Sequence, residues 1–169
     1  MDSRMKILFT SVGRRVELIQ AFRNAANHLQ YNVTIYGVDI SDDAPALYYC
    51  DKRKKICRIM DAHYIPELLE ICEKEKIDAL IPTIDTDLCI LSKNKRKFED
   101  IGTKVFVANY EKIILSRDKR LTADYFLSLN LASPESVDIL NKYHGGFPAF
   151  IKPLNGSSSV NAFKVNNMD

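Results

Sequence analysis

The sequence predicts an α/β fold. It reads as a doubly wound, mostly parallel sheet over residues 1–109, followed over residues 110–169 by helices and the first strands of an α+β unit. Three observations predict this. Short apolar runs rich in β-branched and aromatic residues alternate with longer stretches of helical periodicity up to Asn109. The intervening helices are long enough for crossovers, which makes the strands parallel and covers the sheet on both faces. From Tyr110 onward the alternation stops, and a long helical stretch leads into two short apolar runs around a Gly/Ser turn.

The elements follow in order. "KILFT", residues 6–10, is a buried strand. In the helix after it, Val16, Ile19, Phe22, Ala26 and Leu29 recur at helical spacing. "NVTIYGVDI" is the second strand and "KKICRI", residues 54–59, a weaker third. "DAHYIPELLEICEKEK" is a helix with Asp61 as N-cap and Ile65, Leu68, Leu69 and Cys72 inward. "IDALIPTID" is the fourth strand. The helix "TDLCILSKNKRKFEDIG" closes on Gly102 as its C′ residue, and "KVFVA" is the fifth strand. Residues 110–131 are helical, with a break near Ser116. "ASPES" is a turn and "NKYHGGFP" a loop. "PAFIKP" and "VNAFKV" then form an antiparallel pair joined by "LNGSSS". Two strands and a helix bury too little for a core of their own, so the second unit reads as incomplete.

Composition excludes several classes. The net charge is +2, too small to call for nucleic acid. The clusters at residues 52–55 and at Lys93, Lys95, Arg96 and Lys97 read as solvated faces and lack interleaved aromatics. No apolar run reaches the roughly 20 residues that span a bilayer. Cys50, Cys57, Cys72 and Cys89 form no C-x-x-C pair and have no His at ligand spacing, so a thiolate metal site is not expected. Cys72 and Cys89 read as buried, and free thiols fit a reducing cytoplasm. His63 and His144 read as surface residues.

Ligands of open α/β sheets sit at the carboxyl ends of the strands, and three stretches fall there. In "TSVGRRVE", Gly13 allows a tight turn into a helix whose free N–H groups, with Arg14 and Arg15, suit an anion. G-x-G-x-x-G is absent, which argues against a nicotinamide cofactor. Asp39 closes the second strand, where such folds keep an acid for a ribose; equally, Gly13 serves the turn and Asp39 caps a loop. In "PTIDTDL", Asp85 and Asp87 either cap the helix or face the cleft to hold a substrate amine or hydroxyl. In "FIKPLNGSSS", a strand lysine, Lys152, precedes Gly156, Ser157, Ser158 and Ser159. This pattern suits a polyphosphate, or else an ordinary hairpin loop.

Four strings in this order resemble the ATP-grasp superfamily, and within it proteins similar to the large subunit of carbamoyl phosphate synthase. They are "KILFTSVGRRVELIQAF", "DALIPTIDTDL", "SRDKRLTADYFLSLNLASPES" and "FPAFIKPLNGSSSVNAFKV". The resemblance covers nearly the whole chain and implies a Rossmann-like pre-ATP-grasp domain followed by the start of an ATP-grasp domain. Ser158 and Asn161 stand where the family's loop often has Gly.

By this resemblance, Lys119 and Lys152 are the basic nucleotide contacts and residues 156–159 the loop over the phosphates. Gly13, Arg14, Asp39, Asp85 and Asp87 line the substrate side. The resemblance implies a carboxylate–amine ligase that works through an acyl phosphate. It would use ATP and Mg²⁺, with the metal ligands beyond residue 169 and this portion inactive alone. The implied partners are a small carboxylate and an amine, with a homo-oligomer or partner subunit possible; no catalytic residue is identified. Two alternatives stay open: a non-catalytic module binding a nucleotide or nucleotide sugar, and one subunit of a split ligase.

Overall fold

The computed structural model describes residues 4–134, 136–139, 142–156 and 159–167. The chain divides into two compact units, Met1–Tyr110 and Glu111–Asp169.

The first unit is a five-stranded parallel sheet with helices on both faces. Its strands are β1 (Arg4–Thr10), β2 (Asn32–Asp39), β3 (Lys52–Lys55), β4 (Ala79–Pro82) and β5 (Lys104–Val105), in the order β3-β2-β1-β4-β5. All four pairings are parallel; Ile7 faces Ile35 on one side and Ala79 on the other. The α/β reading is therefore borne out. The order reverses between β1 and β4, and a sheet of this kind opens its ligand crevice there.

Side-chain alternation along β1 builds two cores. Leu8 packs with Tyr36, Val38 and Leu80 under α2 (Tyr64–Glu75) and α3 (Asp85–Asp100), whose Leu68, Leu91 and Phe98 are fully buried. Ile7 and Phe9 pack with Ile35 and Ala79 under α1 (Val16–His28), held by Ile19 and Phe22. Phe9 and Phe22 meet edge-to-face at 4.9 Å between centroids.

Several boundaries move. The third strand is not at 54–59 but at Lys52–Lys55. Asp51 fixes its start: its N–H donates to the Ile35 carbonyl at 2.8 Å, and its carboxylate accepts the Ile35 N–H at 2.7 Å. The apolar Ile56 instead leaves the strand and enters the core. All four β3 side chains are exposed, a basic edge of the kind that discourages further pairing. Lys52 pairs with Glu75 at 2.9 Å and Lys55 with Asp42 at 3.4 Å.

A short 3-10 turn, Pro45–Tyr49, precedes this strand. Asp61 stands before α2 rather than capping it directly; its carboxylate accepts the His63 N–H at 2.9 Å and its carbonyl the Tyr64 N–H at 3.1 Å. Gly102 does terminate α3. At φ +85° it donates to Glu99 O, while Thr103 donates to Phe98 O, closing a Schellman turn.

In the second unit, helices α4 (Tyr110–Arg117) and α5 (Lys119–Ser128) meet at Asp118, two residues beyond the expected break. Asp118 caps α5, accepting N–H bonds from Arg120 at 2.8 Å and Leu121 at 3.2 Å. Strands β6 (Ala149–Ile151) and β7 (Phe163–Val165) pair antiparallel as expected, with Phe150 opposite Lys164.

Candidate functional site

At the switch point of the first unit, the loops after β1, β2 and β4 come together. After β1 the chain turns sharply. Ser11 and Gly13 both have positive φ, at 52° and 49°, and Arg15 N–H returns to Val12 O at 3.0 Å. A glycine suits the second of these positions because the left-handed region costs it no strain.

Asp39 holds this turn to β2. One carboxylate oxygen accepts the Gly13 N–H at 2.8 Å and the other the Ser41 N–H at 3.1 Å. Of the two accounts of Asp39, loop capping is what the geometry displays. Arg14 and Arg15 are exposed beside the turn. No side chain caps the α1 N-terminus, which leaves first-turn N–H groups for water or an anion. Across the switch point, Thr83 Oγ1 donates to Ser11 O at 2.6 Å and ties the β4 loop to the β1 loop.

Asp85 and Asp87 do not act as a pair. Asp85 is exposed at the first position of α3, whereas Asp87 is 0 % exposed. Neither is the N-cap; that position is Ile84, with no side-chain cap bond, and both acids lie in the first turn. They therefore complement the helix dipole rather than cap it.

Asp87 Oδ2 accepts the Thr10 hydroxyl at 2.7 Å and Oδ1 the Tyr64 hydroxyl at 2.8 Å. Thr10 and Tyr64 are themselves 0 % exposed. Burial raises the Asp87 carboxyl above its ordinary value, against hydrogen bonds from Thr10, Tyr64 and Ser11 that act to lower it. Burial likewise raises the Tyr64 phenol, with Asp87 adding to it. This network ties β1, α2 and α3 together beneath the crevice, and the sequence reading missed it. Its one signal was a polar Thr10 ending the apolar run Ile7–Phe9.

In the second unit, Lys119 and the segment after β6 come together. The Lys119 ammonium donates to the carbonyls of Pro153 at 2.8 Å, Leu154 at 3.1 Å and Gly156 at 2.9 Å. Lys152 and Gly156 are exposed, as is Ser159, which has φ +57°. Ser157 and Ser158 lie outside the described residues. Asn161, where the family often has Gly, takes φ +57°, a conformation asparagine tolerates.

His63 and His144 are exposed. Cys72 is buried as expected, but Cys89 is only half-buried. Among the described residues no group of three His, Cys, Asp or Glu could hold a metal ion, and no helix is long and apolar enough to cross a membrane.

A parallel sheet whose strand order reverses between β1 and β4 defines an α/β protein of the Rossmann-like class. Residues 7–106 match the family model described as PylC-like, N-terminal domain, and the chain belongs to that family. Among curated proteins it is 31% identical over 112 residues to the carbamoyl phosphate synthase large chain, N-terminal section, of Aquifex aeolicus. That match covers 58% of this chain and 20% of the relative, so the chain corresponds to about a fifth of the relative's length.

Among solved structures, an L-amino acid ligase from Bacillus licheniformis superposes with TM-score 0.68 at 13% identity, over 99% of this chain and 40% of that one. The biotin carboxylase domain dimer of Hydrogenobacter thermophilus 2-oxoglutarate carboxylase, in complex with MgADP, ADP and bicarbonate, superposes with TM-score 0.66 at 15% identity. It covers 96% of this chain and 37% of that one. At these identities the likeness shows the fold. The resemblance to the ATP-grasp superfamily, and within it to the carbamoyl phosphate synthase large subunit, is borne out.

Proposed function

We propose that the chain is the N-terminal part of an ATP-dependent carboxylate–amine ligase of the ATP-grasp type. In this reading a carboxylate oxygen attacks the γ-phosphorus of ATP and ADP leaves. An amine then attacks the acyl carbon, and phosphate departs with the carboxylate's oxygen. The observation that carries the proposal is Lys119, whose ammonium meets the segment between Lys152 and the Gly/Ser loop. A lysine held beside the segment that follows Lys152 would help answer the main difficulty of the reaction, the approach of two anions.

Lys119 and Lys152 would hold the nucleotide phosphates, and residues 156–159 would cover them and exclude water from the acyl phosphate. Gly13, Arg14, Asp39 and Asp85 would form the substrate side, with Asp87 supporting them from below. Magnesium would be held, as the family resemblance implies, by residues beyond 169. ATP, a small carboxylate and an amine are the proposed ligands, and the cytoplasm the proposed compartment. Residues 1–169 alone would be inactive.

The test is ATP turnover by the complete gene product with ¹⁸O-labelled carboxylates and a panel of amines. Amine-dependent release of phosphate carrying one ¹⁸O supports the reading. Turnover that needs no carboxylate, or unlabelled phosphate, refutes it. Mg²⁺- and carboxylate-dependent turnover by residues 1–169 would refute the proposed inactivity.

A further inference from the structure

An ammonium has three N–H donors and no more. Lys119 directs all three at backbone carbonyls of one short segment, those of Pro153, Leu154 and Gly156. Its own backbone N–H also reaches Leu154 O, at 3.4 Å. The base of this side chain is fixed independently, because Asp118 caps the helix that Lys119 begins. One lysine thus fastens the chain leaving β6 to a helix start.

We infer that Lys119 is an anion-operated latch. It holds residues 153–156 while no polyphosphate is bound and releases them when one recruits its ammonium. The inference rests on the nucleotide reading above and adds a coupling to it.

The coupling follows from donor counting. With three donors already placed, every phosphate oxygen that Lys119 contacts displaces a carbonyl. A doubly charged acceptor forms the stronger, charge-assisted bond, so the exchange runs toward the anion. By linkage, the segment's preference for the ammonium weakens anion binding by the same factor that the anion loosens the segment. Arginine would separate the two roles. It keeps the charge, but its planar fork cannot aim three N–H groups at three carbonyls that converge on a point.

The test is ¹⁵N relaxation of the Leu154 and Gly156 amides, with metal-free ATP as the probe. Without ATP, their order parameters should fall from about 0.85 to below about 0.6 in both Lys119→Met and Lys119→Arg. Saturating ATP should produce the same fall in the unaltered protein. The arginine protein should still show ATP-induced shifts, and the methionine protein should lose them.

Order parameters unchanged in both variants, while ATP still shifts nearby amides, would overturn the latch and leave the nucleotide reading standing. No amide shift with millimolar ATP in the unaltered protein would overturn both. A second measurement needs no substitution. The Lys119 ammonium ¹⁵N signal should exchange with water at least tenfold more slowly than that of the exposed Lys164, and ATP should alter it; equal exchange rates would overturn the latch.

Discussion

The buried network at Asp87 allows the most direct test of the fold beneath the crevice. Replacing Asp87 with alanine removes the acceptor of two hydroxyls, Thr10 at 2.7 Å and Tyr64 at 2.8 Å. Both donors are 0 % exposed, so neither can turn to bulk water. A stranded buried polar group costs about 1–3 kcal/mol, and two such groups put the loss at about 2–5 kcal/mol after local relaxation. That is a large share of the roughly 5–15 kcal/mol by which domains are stable. Asparagine keeps the shape and one carbonyl acceptor, and hydroxyls can also accept, so Asp87→Asn should lose less than half as much. Urea unfolding followed by circular dichroism measures both. A loss below about 1 kcal/mol for alanine would show that the hydroxyls find other partners and that the network is not a tie.

The pH dependence gives the same network a sign. Burial raises the Asp87 carboxyl above its ordinary 3.8, so the folded protein binds this proton more tightly than the unfolded chain does. Its contribution is therefore fully present below the unfolded pKa and is lost as pH rises through the folded value. The stability of the unaltered protein minus that of Asp87→Asn should fall as pH rises from about 4, by at most about 1.4 kcal/mol per pH unit. Subtraction cancels the other carboxylates. A difference that grows with pH would mean the three hydroxyl bonds outweigh desolvation, and would refute the assigned cause.

Three further outcomes are expected. A Cβ at Gly37 would lie 2.5 Å from Cys50 Sγ and 3.2 Å from Leu47 Cδ2, so Gly37→Ala should cost about 1–3 kcal/mol in urea unfolding, and adding Cys50→Ala should restore part of it. Gly102 has φ +85° and nothing within 4 Å, so Gly102→Ala should cost about 1 kcal/mol from backbone strain alone, with no second-site rescue. Burial pushes the thiols of Cys72 up to about 12 and Cys50 up to about 11. At pH 8, iodoacetamide should therefore leave Cys72 unmodified in the native protein and label it after urea unfolding, as read by mass spectrometry.

The parts of the fold that follow from side-chain burial were legible. Strands β1, β2 and β4 and the inward faces of α1 and α2 announce themselves by apolar period, because each buries that face. Strand β3 was misplaced for the converse reason. Its four residues bury no side chain, and what holds them is backbone pairing to β2 with the reciprocal bonds of Asp51 to Ile35. Nothing in "KRKK" encodes that, while the apolar residues after it mimic a strand. Gly13 and Asp39 could be brought together from sequence because parallel strands deliver their carboxyl ends to one edge. The grip of Lys119 on carbonyls 34 to 37 residues away could not, since backbone acceptors carry no residue signature.

The two carboxylates of "DTD" mark where helical geometry decides more than residue type. Once Asp85 is the first residue of α3, Asp87 must project about 200° further round the axis. Two acids so placed cannot address one ligand; one faces outward and the other packs into the sheet. The exposed member is Asp85 and the buried one Asp87. Their substitutions should therefore separate in the complete gene product, assayed for the proposed ligase activity. Asp85→Asn should lower urea stability by no more than about 1 kcal/mol, the share of a first-turn charge at the helix dipole, and raise the KM of the proposed carboxylate or amine if it faces the switch point. Asp87→Asn should change stability and its pH dependence. Asp85→Asn with unaltered kinetics would remove it from the substrate side, leaving Gly13 and Arg14 of the β1 turn and Asp39 as the remaining candidates for the substrate contact.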